Sequence, residues 1–490
     1  MTPAILFKDF YKTDHRRQYP AKTTRVYSNL TARISRIPGV DHVVVFGVQY
    51  LVSEFLTKRF NETFFSQPKE AVISHYRRRM DTSLGAGAVT TEHLEALHDL
   101  GYLPIRLKAL PEGTVCPLKT PVLTITNTHD NFAWLPNFLE TLISSVLWHP
   151  MTSATIAFEY RKLLESYAEG TSDIPELVKW QGHDFSMRGQ VGIEAAAASG
   201  AAHLLSFTGT DTIPAIDWLE MYYGANAEQE MIGGSVPATE HAVMCLGGKD
   251  GEVETYRRLL TEVYPHGFIS IVSDTWSYFH VLTKTLPEIK DVIMAREGKL
   301  VVRPDSGDPV LILCGDPSAP EGSPERRGTF ELLWETFGGT TNSKGYRQLD
   351  PHIGVIYGDS ITLERAQRIL ERMEAAGFAS TNVVFGIGSY TYQYVTRDTF
   401  GFAMKATYGV VDGVPREIFK DPLTDGGVKK SAKGLLRVNR DLTLSECVSP
   451  EDEATGMLQT VFLDGEPLER ESLSCIRSRI DAAVGERRKR

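Results

Sequence analysis

Cysteine is scarce. Five residues, Cys116, Cys245, Cys314, Cys447 and Cys475, are scattered through 490 positions, odd in number and without a Cys-x-x-Cys spacing. That pattern excludes a disulfide framework and a cysteine-based zinc site, and it points to reduced thiols in a cytoplasm. Long hydrophobic runs are missing too. No stretch spans a bilayer, and the opening MTPAILFKDFYK lacks the apolar core of a signal peptide. The expectation is a soluble, cytoplasmic protein with no membrane partner. Positive charge is in deficit, with a net charge of -10, so the chain as a whole is no polyanion binder. The basic end GERRKR reads as a solvated tail, not a nucleic-acid arm. Repeats and low-complexity tracts are absent, and so are the P-loop and the dinucleotide fingerprint.

What is present is an ordinary globular composition, 42% hydrophobic and 23% charged, in a chain long enough for two or three domains. Helical patterns alternate with short β-branched runs, and the fold class reads as α/β. MTSATIAFEYRKLLESYAEG (151–170) predicts a helix capped by Thr152 or Ser153 and stopped by Gly170. GQVGIEAAAASGAAHLLSF (189–207) predicts a small-residue helix packed closely on a neighbour. TLERAQRILERMEAAGF (362–378) predicts one with Ala366, Ile369, Leu370 and Met373 on a single face. VLTIT (122–126) predicts a strand, and so do ISIVSD (269–274), KLVVRPD (299–305), IGVIYGD (353–359) and NVVFGIG (382–388). The last four are nearly continuous apolar runs, as in strands buried on both faces of a parallel sheet. Each ends in polar groups or glycines, and ligands of α/β folds sit at the carboxyl ends of the strands. Residues 179–394 are therefore expected to form a barrel-like α/β domain with a polar rim. TYGVVDGVPREIF, turning at Asp412-Gly413, predicts a hairpin. Residues 1–178 together with 395–490 are expected to form a second, α+β domain built from both chain ends. GDPSAPEGSPERRG (315–328) predicts a surface loop.

The rim carries chemistry that suits a phosphorylated sugar. In VVRPDSGDP (301–309), Arg303 offers a planar cation for phosphate, and Asp305, on the same side of a strand, offers a carboxylate for hydroxyls. A surface Arg–Asp pair is the plain alternative. IYGDS (356–360) repeats the theme with Gly358 and Asp359. VFGIGS (384–389) brings glycine amides, with Gly388 beside Ser389, to a strand end where they can cradle phosphate. TRD (396–398) adds Arg397. HDFSMRG (183–189) joins the aromatic Phe185 to Arg188, and FTGTDT (207–212) sets Asp211 after a strand-like segment. Core packing and helix capping are the ordinary roles of Phe185 and Asp211. In GGSVPATEHAVMCLGG (233–248), two glycines and Pro237 lead Glu240 and His241 into a short helix that Gly247 and Gly248 stop. A histidine there is ordinarily structural. The recurrence of carboxylates and arginines at successive strand ends is what argues for a site.

HDFSMRG, GTDT, SVPATEH, SIVSD, RPDSGDP, NSKGY, GD (358–359) and FGIGS followed by TRD occur in one order. DFYKTDH precedes them and FKDP (419–422) follows. This ordered set, from about residue 9 to about residue 465, closely resembles the nicotinamide phosphoribosyltransferases. The resemblance implies a type II phosphoribosyltransferase fold. It implies transfer of ribose 5-phosphate from phosphoribosyl pyrophosphate to the ring nitrogen of nicotinamide, giving nicotinamide mononucleotide and pyrophosphate in NAD salvage, with Mg2+ accompanying the pyrophosphate. By the same resemblance Arg188 and Arg303 hold the pyrophosphate, while Asp305, Gly358 and Asp359 bind the ribose hydroxyls. Gly388, Ser389 and Arg397 take the 5-phosphate, and Asp274 is a supporting acid near the metal–pyrophosphate end. Phe185 stacks on the nicotinamide ring and Asp211 meets its amide. Tyr11, within the first ~25 residues, reaches over from the partner subunit to cover the other ring face, so the sites are shared in a homodimer. His241 is transiently phosphorylated by ATP, which improves use of the donor, and a helix start suits the added negative charge.

Three departures from the family pattern stand out. Ser389 replaces a glycine, Ala403 stands where a phosphate-binding hydroxyl is expected two residues before Lys405, and the 315–328 loop is longer and richer in proline. The rival readings are nicotinate phosphoribosyltransferase and a non-catalytic nucleotide-binding protein on the same scaffold. His241, Asp305 and Asp359 argue against the second. A barrel glycosidase would need two carboxylates ~5–10 Å apart.

Overall fold

The computed structural model describes residues 2–420, 431–468 and 470–487. Asp421 and Pro422 of FKDP, and the last three residues of the basic end, lie outside the described residues. Two compact units divide the chain: Met1–Thr155 with Leu219–Ala225 and Val395–Ile480, and Ile156–Trp218 with Asn226–Tyr394 and Asp481–Arg490.

The first unit is α+β and takes strands from both chain ends. Its seven-stranded sheet runs in the order Val414–Glu417, Ala403–Val411, Thr23–Thr31, Pro121–Asn127, Ile105–Ala109, Gln459–Leu463, Glu466–Pro467. Every neighbouring pair is antiparallel. The Asp412-Gly413 hairpin forms as its sequence predicts, with φ 53° and 75° at the two turn residues. Leu30, Leu107, Leu123, Ile125 and Phe462 bring sheet side chains into a core shared with Phe60, Phe64, Leu94 and Leu147. Leu219–Ala225 belongs here because the Tyr222 hydroxyl donates to Glu54 at 3.0 Å and the Tyr223 hydroxyl donates to Glu112 at 2.7 Å.

Glu112 also accepts the backbone N–H of Gly47 at 2.9 Å and of Gln49 at 2.7 Å. Burial nonetheless pushes its carboxyl up to about 7. The folded value lies above the ordinary one, so this contribution to stability is complete below the ordinary value of 4.5 and is lost as pH rises to about 7. At about 1.4 kcal/mol per pH unit the loss is of order 3 kcal/mol. Urea midpoints measured at pH 5 and pH 8 are expected to differ less in Glu112→Gln than in the parent. An unchanged difference would contradict this assignment.

The second unit holds a six-stranded sheet in the order Gly209–Thr210, Gly182–Asp184, Val383–Ile387, Ile353–Tyr357, Glu297–Arg303, His266–Val272. All its pairs are parallel. The four runs predicted as buried strands form here, and they read as apolar because both faces are covered. The two edge strands are joined by the segment before His241. On one side, Thr210 N–H donates to Gly234 O at 2.9 Å and Gly234 N–H to Thr208 O at 2.8 Å. On the other, Ser270 N–H donates to Pro237 O at 2.8 Å and Thr239 N–H to Ser270 O at 2.9 Å. The curled sheet is thereby linked into a ring. The glycines and Pro237 serve a segment that must pair with two strands in turn.

Several boundaries differ from the sequence expectation. The helix predicted over 151–170 is the C-terminal part of one longer helix, Glu140–Thr171, with Pro150 inside it. Thr152 is no cap, because its hydroxyl bonds back to Trp148 O at 2.6 Å. The division between units falls within this helix, at 155/156 and not at 178. From Ile156 onward its side chains serve the second unit: the Tyr160 hydroxyl meets Thr391 Oγ1 at 3.2 Å, and Arg161 donates to Ser206 O at 2.6 Å. Residues 481–490 also group with that unit, where Lys179 pairs with Asp481 at 2.9 Å. The small-residue helix is shorter than predicted, Ile193–His203. Only the end of the 315–328 loop is helical: Ser323 caps Pro324–Phe337, and the chain breaks again at Gly328. The helix Leu363–Ala375 buries Ala366, Ile369, Leu370 and Met373 as its periodicity requires. No helix among the described residues is long and apolar enough to cross a membrane.

Candidate active site

The carboxyl ends of the parallel strands bring the rim residues of the second unit together. Phe185 and Arg188 follow the strand Gly182–Asp184, Asp211 follows Gly209–Thr210, and Asp274 follows His266–Val272. Arg303 ends its strand and Asp305 follows it. Gly358 and Asp359 follow Ile353–Tyr357, and Gly388 and Ser389 follow Val383–Ile387. His241 opens the helix His241–Leu246 directly after the ring-closing segment. A cavity of about 490 Å³ enters the barrel here, with Phe185, Asp211, Ser235 and Arg303 in its wall.

Three side chains are anchored by named partners. Asp211 Oδ1 accepts hydrogen bonds from His183 Nε2 at 2.8 Å and Ser235 Oγ at 2.6 Å. Burial alone would raise its carboxyl. The bonds from His183 and Ser235, with the fields of His183 and Arg303, outweigh that and hold it below the ordinary aspartate value. Asp211 is therefore an anion at neutral pH, and it is not a helix cap. Asp274 is a hub: Oδ1 meets His241 Nε2 at 3.0 Å, and Oδ2 accepts Asp305 N–H at 3.1 Å and Ser306 Oγ–H at 2.5 Å. Its side chain is 5% exposed and that of His241 48%, so a buried carboxylate orients an open imidazole. Arg303 donates one Nη2 proton to Thr239 O at 2.7 Å, and its buried Nε–H has no partner. A guanidinium anchored at one edge and unsatisfied at another is set to receive anionic oxygens.

Two of the strand-end glycines serve packing. A side chain on Gly386 would stand 2.5 Å from the Phe185 ring, and one on Gly358 would stand 3.3 Å from it and 3.1 Å from Asp305 Oδ1. These two glycines make room for the ring of Phe185. Gly388, by contrast, faces open space. Among the described residues no hydrogen bond or ion pair occupies the side chains of Asp305 and Asp359, and Arg188 is exposed.

Tyr11 and Arg397 belong to the first unit. Tyr11 is 60% exposed, with its ring edge-on to His15 at 5.3 Å. Arg397 pairs with Asp398 at 3.1 Å. A cavity of about 640 Å³ in this unit is lined by Arg33, Lys119, Lys405 and Lys420, and Ala403 lies in its wall. Burial, followed by the charges of Arg33, Lys12 and Lys420, lowers the Lys405 ammonium against the pull of Glu140. Asp441 and Glu446 line the cavity as well, so cations are in excess there but not alone.

Sequence reasoning passed over His183, Ser235, Thr239 and Ser306 as site residues, although all four lie in or beside quoted motifs. Their part is to anchor Asp211, Arg303 and Asp274, and no local pattern signals such pairing. NSKGY lies elsewhere in the unit: Asn342 donates to Thr171 O at 2.7 Å and Lys344 to Ser172 O at 2.6 Å, closing the end of the long helix.

Residues 180–466 match the nicotinate phosphoribosyltransferase (NAPRTase) family, and residues 4–105 match the nicotinamide phosphoribosyltransferase N-terminal domain. The chain is 54% identical over 486 residues to a nicotinamide phosphoribosyltransferase of Acinetobacter baylyi, covering 96% of each. It is 33% identical to one of Xanthomonas campestris pv. campestris, covering 98% of each. The chain belongs to the nicotinamide phosphoribosyltransferase family. Membership makes it an enzyme of the pentosyltransferase class. Two solved structures share its fold. Nicotinate-nucleotide pyrophosphorylase from Pyrococcus furiosus has a TM-score of 0.60 at 14% identity, covering 99% of this chain and 96% of that one. Human nicotinic acid phosphoribosyltransferase has 0.53 at 16%, covering 98% and 94%. Within the nicotinamide phosphoribosyltransferase pattern, the departure at Ser389 has a packing counterpart. Its Oγ lies 2.2 Å from where a side chain on Gly189 would begin, so the glycine of HDFSMRG admits it.

Proposed function

We propose that this chain transfers the 5-phosphoribosyl group of phosphoribosyl pyrophosphate to the ring nitrogen of nicotinamide, in NAD salvage. The observation that carries this reading is Asp211, a carboxylate anchored by His183 and Ser235 in the cavity that also holds Phe185. Such a group accepts an N–H of a neutral amide and repels the carboxylate of nicotinate, so nicotinate transfer is the weaker reading. Phe185 stacks on the pyridine ring. The ring nitrogen attacks the anomeric carbon with its own lone pair, so no general base is needed. The bond from that carbon to pyrophosphate breaks, and Arg303 and Arg188 take up the leaving charge. Asp305 and Asp359, with Gly358 beside them, hold the ribose hydroxyls and favour the oxocarbenium-like transition state. Gly388 and Ser389 receive the 5-phosphate.

Among the described residues no group of three or more His, Cys, Asp and Glu is placed to hold a metal ion. A Mg2+ carried in on the pyrophosphate oxygens would need no such cluster of its own. Bound there, it would neutralise leaving-group charge.

His241 is the phosphoacceptor for ATP in this proposal. With the Nε2 edge engaged by Asp274, the opposite ring nitrogen presents the lone pair. It forms an N–P bond as the γ-phosphoryl leaves ADP. His241→Ala is expected to abolish ATP stimulation and to leave the fold intact. Equal stimulation in mutant and parent would remove His241 from this role.

The chain acts as a homodimer with shared sites in this reading, in the cytoplasm, where its scattered thiols stay reduced. Exposed apolar side chains support self-association: Val191 is 80% exposed, Ile193 61%, and Tyr390 and Tyr394 stack at 5.3 Å on the surface. Purified chain supplied with phosphoribosyl pyrophosphate and either nicotinamide or nicotinate tests the main reaction. Failure to form nicotinamide mononucleotide would end the proposal.

A further inference from the structure

Asp184, directly before Phe185, has no solvent exposure. A carboxylate in such surroundings is costly to keep, because it gives up hydration and regains only the bonds its neighbours supply. Its side-chain bonds go to the two turns that flank the cavity. Oδ1 accepts Ser186 N–H at 2.9 Å, which folds the turn carrying Phe185. Oδ2 accepts the Thr212 hydroxyl at 2.7 Å, and the backbone carbonyl accepts Asp211 N–H at 2.9 Å. One residue thus grips the turn of Phe185 and the turn of Asp211. The fold makes room for it: a side chain on Gly200 would stand 3.1 Å from Asp184 Oδ2 and 3.0 Å from Thr212 Cγ2. Thr212 N–H also donates to Thr210 Oγ1 at 3.0 Å, so the second turn has no slack.

We propose that Asp184 is a positioning residue that sets the separation of Phe185 from Asp211, and through it the choice of a neutral amide over a carboxylate. The inference rests on the nicotinamide reading of the site. Asp184 does not line the cavity and touches no substrate in this scheme. Shortening or loosening the grip lets Asp211 drift from the plane in which the stacked ring presents its amide. Ground-state recognition of nicotinamide weakens, and discrimination against nicotinate weakens with it. A change at Thr212, whose bonds go to Asp184 and Thr210, leaves the donor-holding side chains Arg188, Arg303, Asp305 and Asp359 in place.

Thr212→Val removes the hydroxyl that reaches Asp184 and keeps the shape of the side chain; Thr212→Ser keeps the hydroxyl. Thr212→Val is expected to raise KM for nicotinamide about tenfold and to narrow the nicotinamide-to-nicotinate ratio of kcat/KM by a similar factor, the scale of one lost hydrogen bond to a charged group. KM for phosphoribosyl pyrophosphate should stay at the parental value, and Thr212→Ser should restore the first two quantities. Asp184→Asn should lie near the parent, since its oxygen still accepts Ser186 N–H and its amide can donate to Thr212. Asp184→Ala should exceed Thr212→Val in the same direction; if it does not fold, the threonine pair decides alone. A fall in melting temperature with all KM values unchanged, or parental kinetics in Thr212→Val, would overturn the proposal. A parent that makes no nicotinamide mononucleotide overturns the functional reading first and this inference with it. Parental turnover with no KM split in the variants overturns the inference alone.

Discussion

The parent protein is expected to use nicotinamide a hundredfold to a thousandfold better than nicotinate in kcat/KM, and Asp211→Ser is expected to close most of that gap. The amide of nicotinamide has two N–H donors, whereas nicotinate places a carboxylate at the same point. Asp211 is held ionised by His183 and Ser235. Two like charges ~4 Å apart at an effective dielectric of ~20 repel by about 4 kcal/mol. The Asp211 side chain is 46% exposed before ligand binds, so water screens part of this. Each ~1.4 kcal/mol is about tenfold in rate, which gives the expected range. Asp211→Ser should lose nicotinamide activity mainly, and gain nicotinate activity in part, because the hydroxyl can serve either ligand. Steady-state kinetics with both substrates on both proteins make the check. A parent that uses nicotinate as well as nicotinamide would promote the nicotinate reading.

Arg303→Ala is expected to lower kcat/KM by about a hundredfold to a thousandfold, the usual scale for removing a preorganised donor to developing charge. The guanidinium is already anchored on Thr239 O, and its unpartnered Nε–H is left to meet the pyrophosphate of the proposed reaction. Its loss removes both the charge and that geometry, so Arg303→Lys should recover only part of the activity. Tyr11→Ala should also be severely impaired if the tyrosine covers a partner's site. The two inactive proteins then make a joint test. Mixed in equal amounts with subunit exchange, they should regain about a quarter of parental activity, since about half the dimers are hybrids with one intact site each. No recovery, with exchange confirmed by tagged subunits, would refute shared sites.

Much of the site was legible because chemistry and strand ends coincide along the chain. Arg303, Asp305 and Asp359 follow runs whose unbroken apolarity marks strands buried on both faces, and the rim position follows from that. The strand-end glycines also serve packing that the sequence does not announce. Gly388 faces open space, but Gly386 is occupied by the Phe185 ring, a contact between strands that no spacing rule contains.

The sequence by itself determined the α/β class, the buried face of Leu363–Ala375, the hairpin at Asp412-Gly413 and the identity of the charged rim. Each rests on periodicity or turn chemistry within a few residues, where backbone geometry leaves little choice. Only the tertiary structure decided that one helix runs unbroken through Pro150, that the segment before His241 joins the two edges of the sheet, and that Asp274 links His241 to Asp305 and Ser306. Only it could show that Asp184 ties the turns of Phe185 and Asp211. These are pairings between residues far apart along the chain. They are selected by packing and by the need to satisfy buried polar groups, and those quantities exist only once the chain has folded.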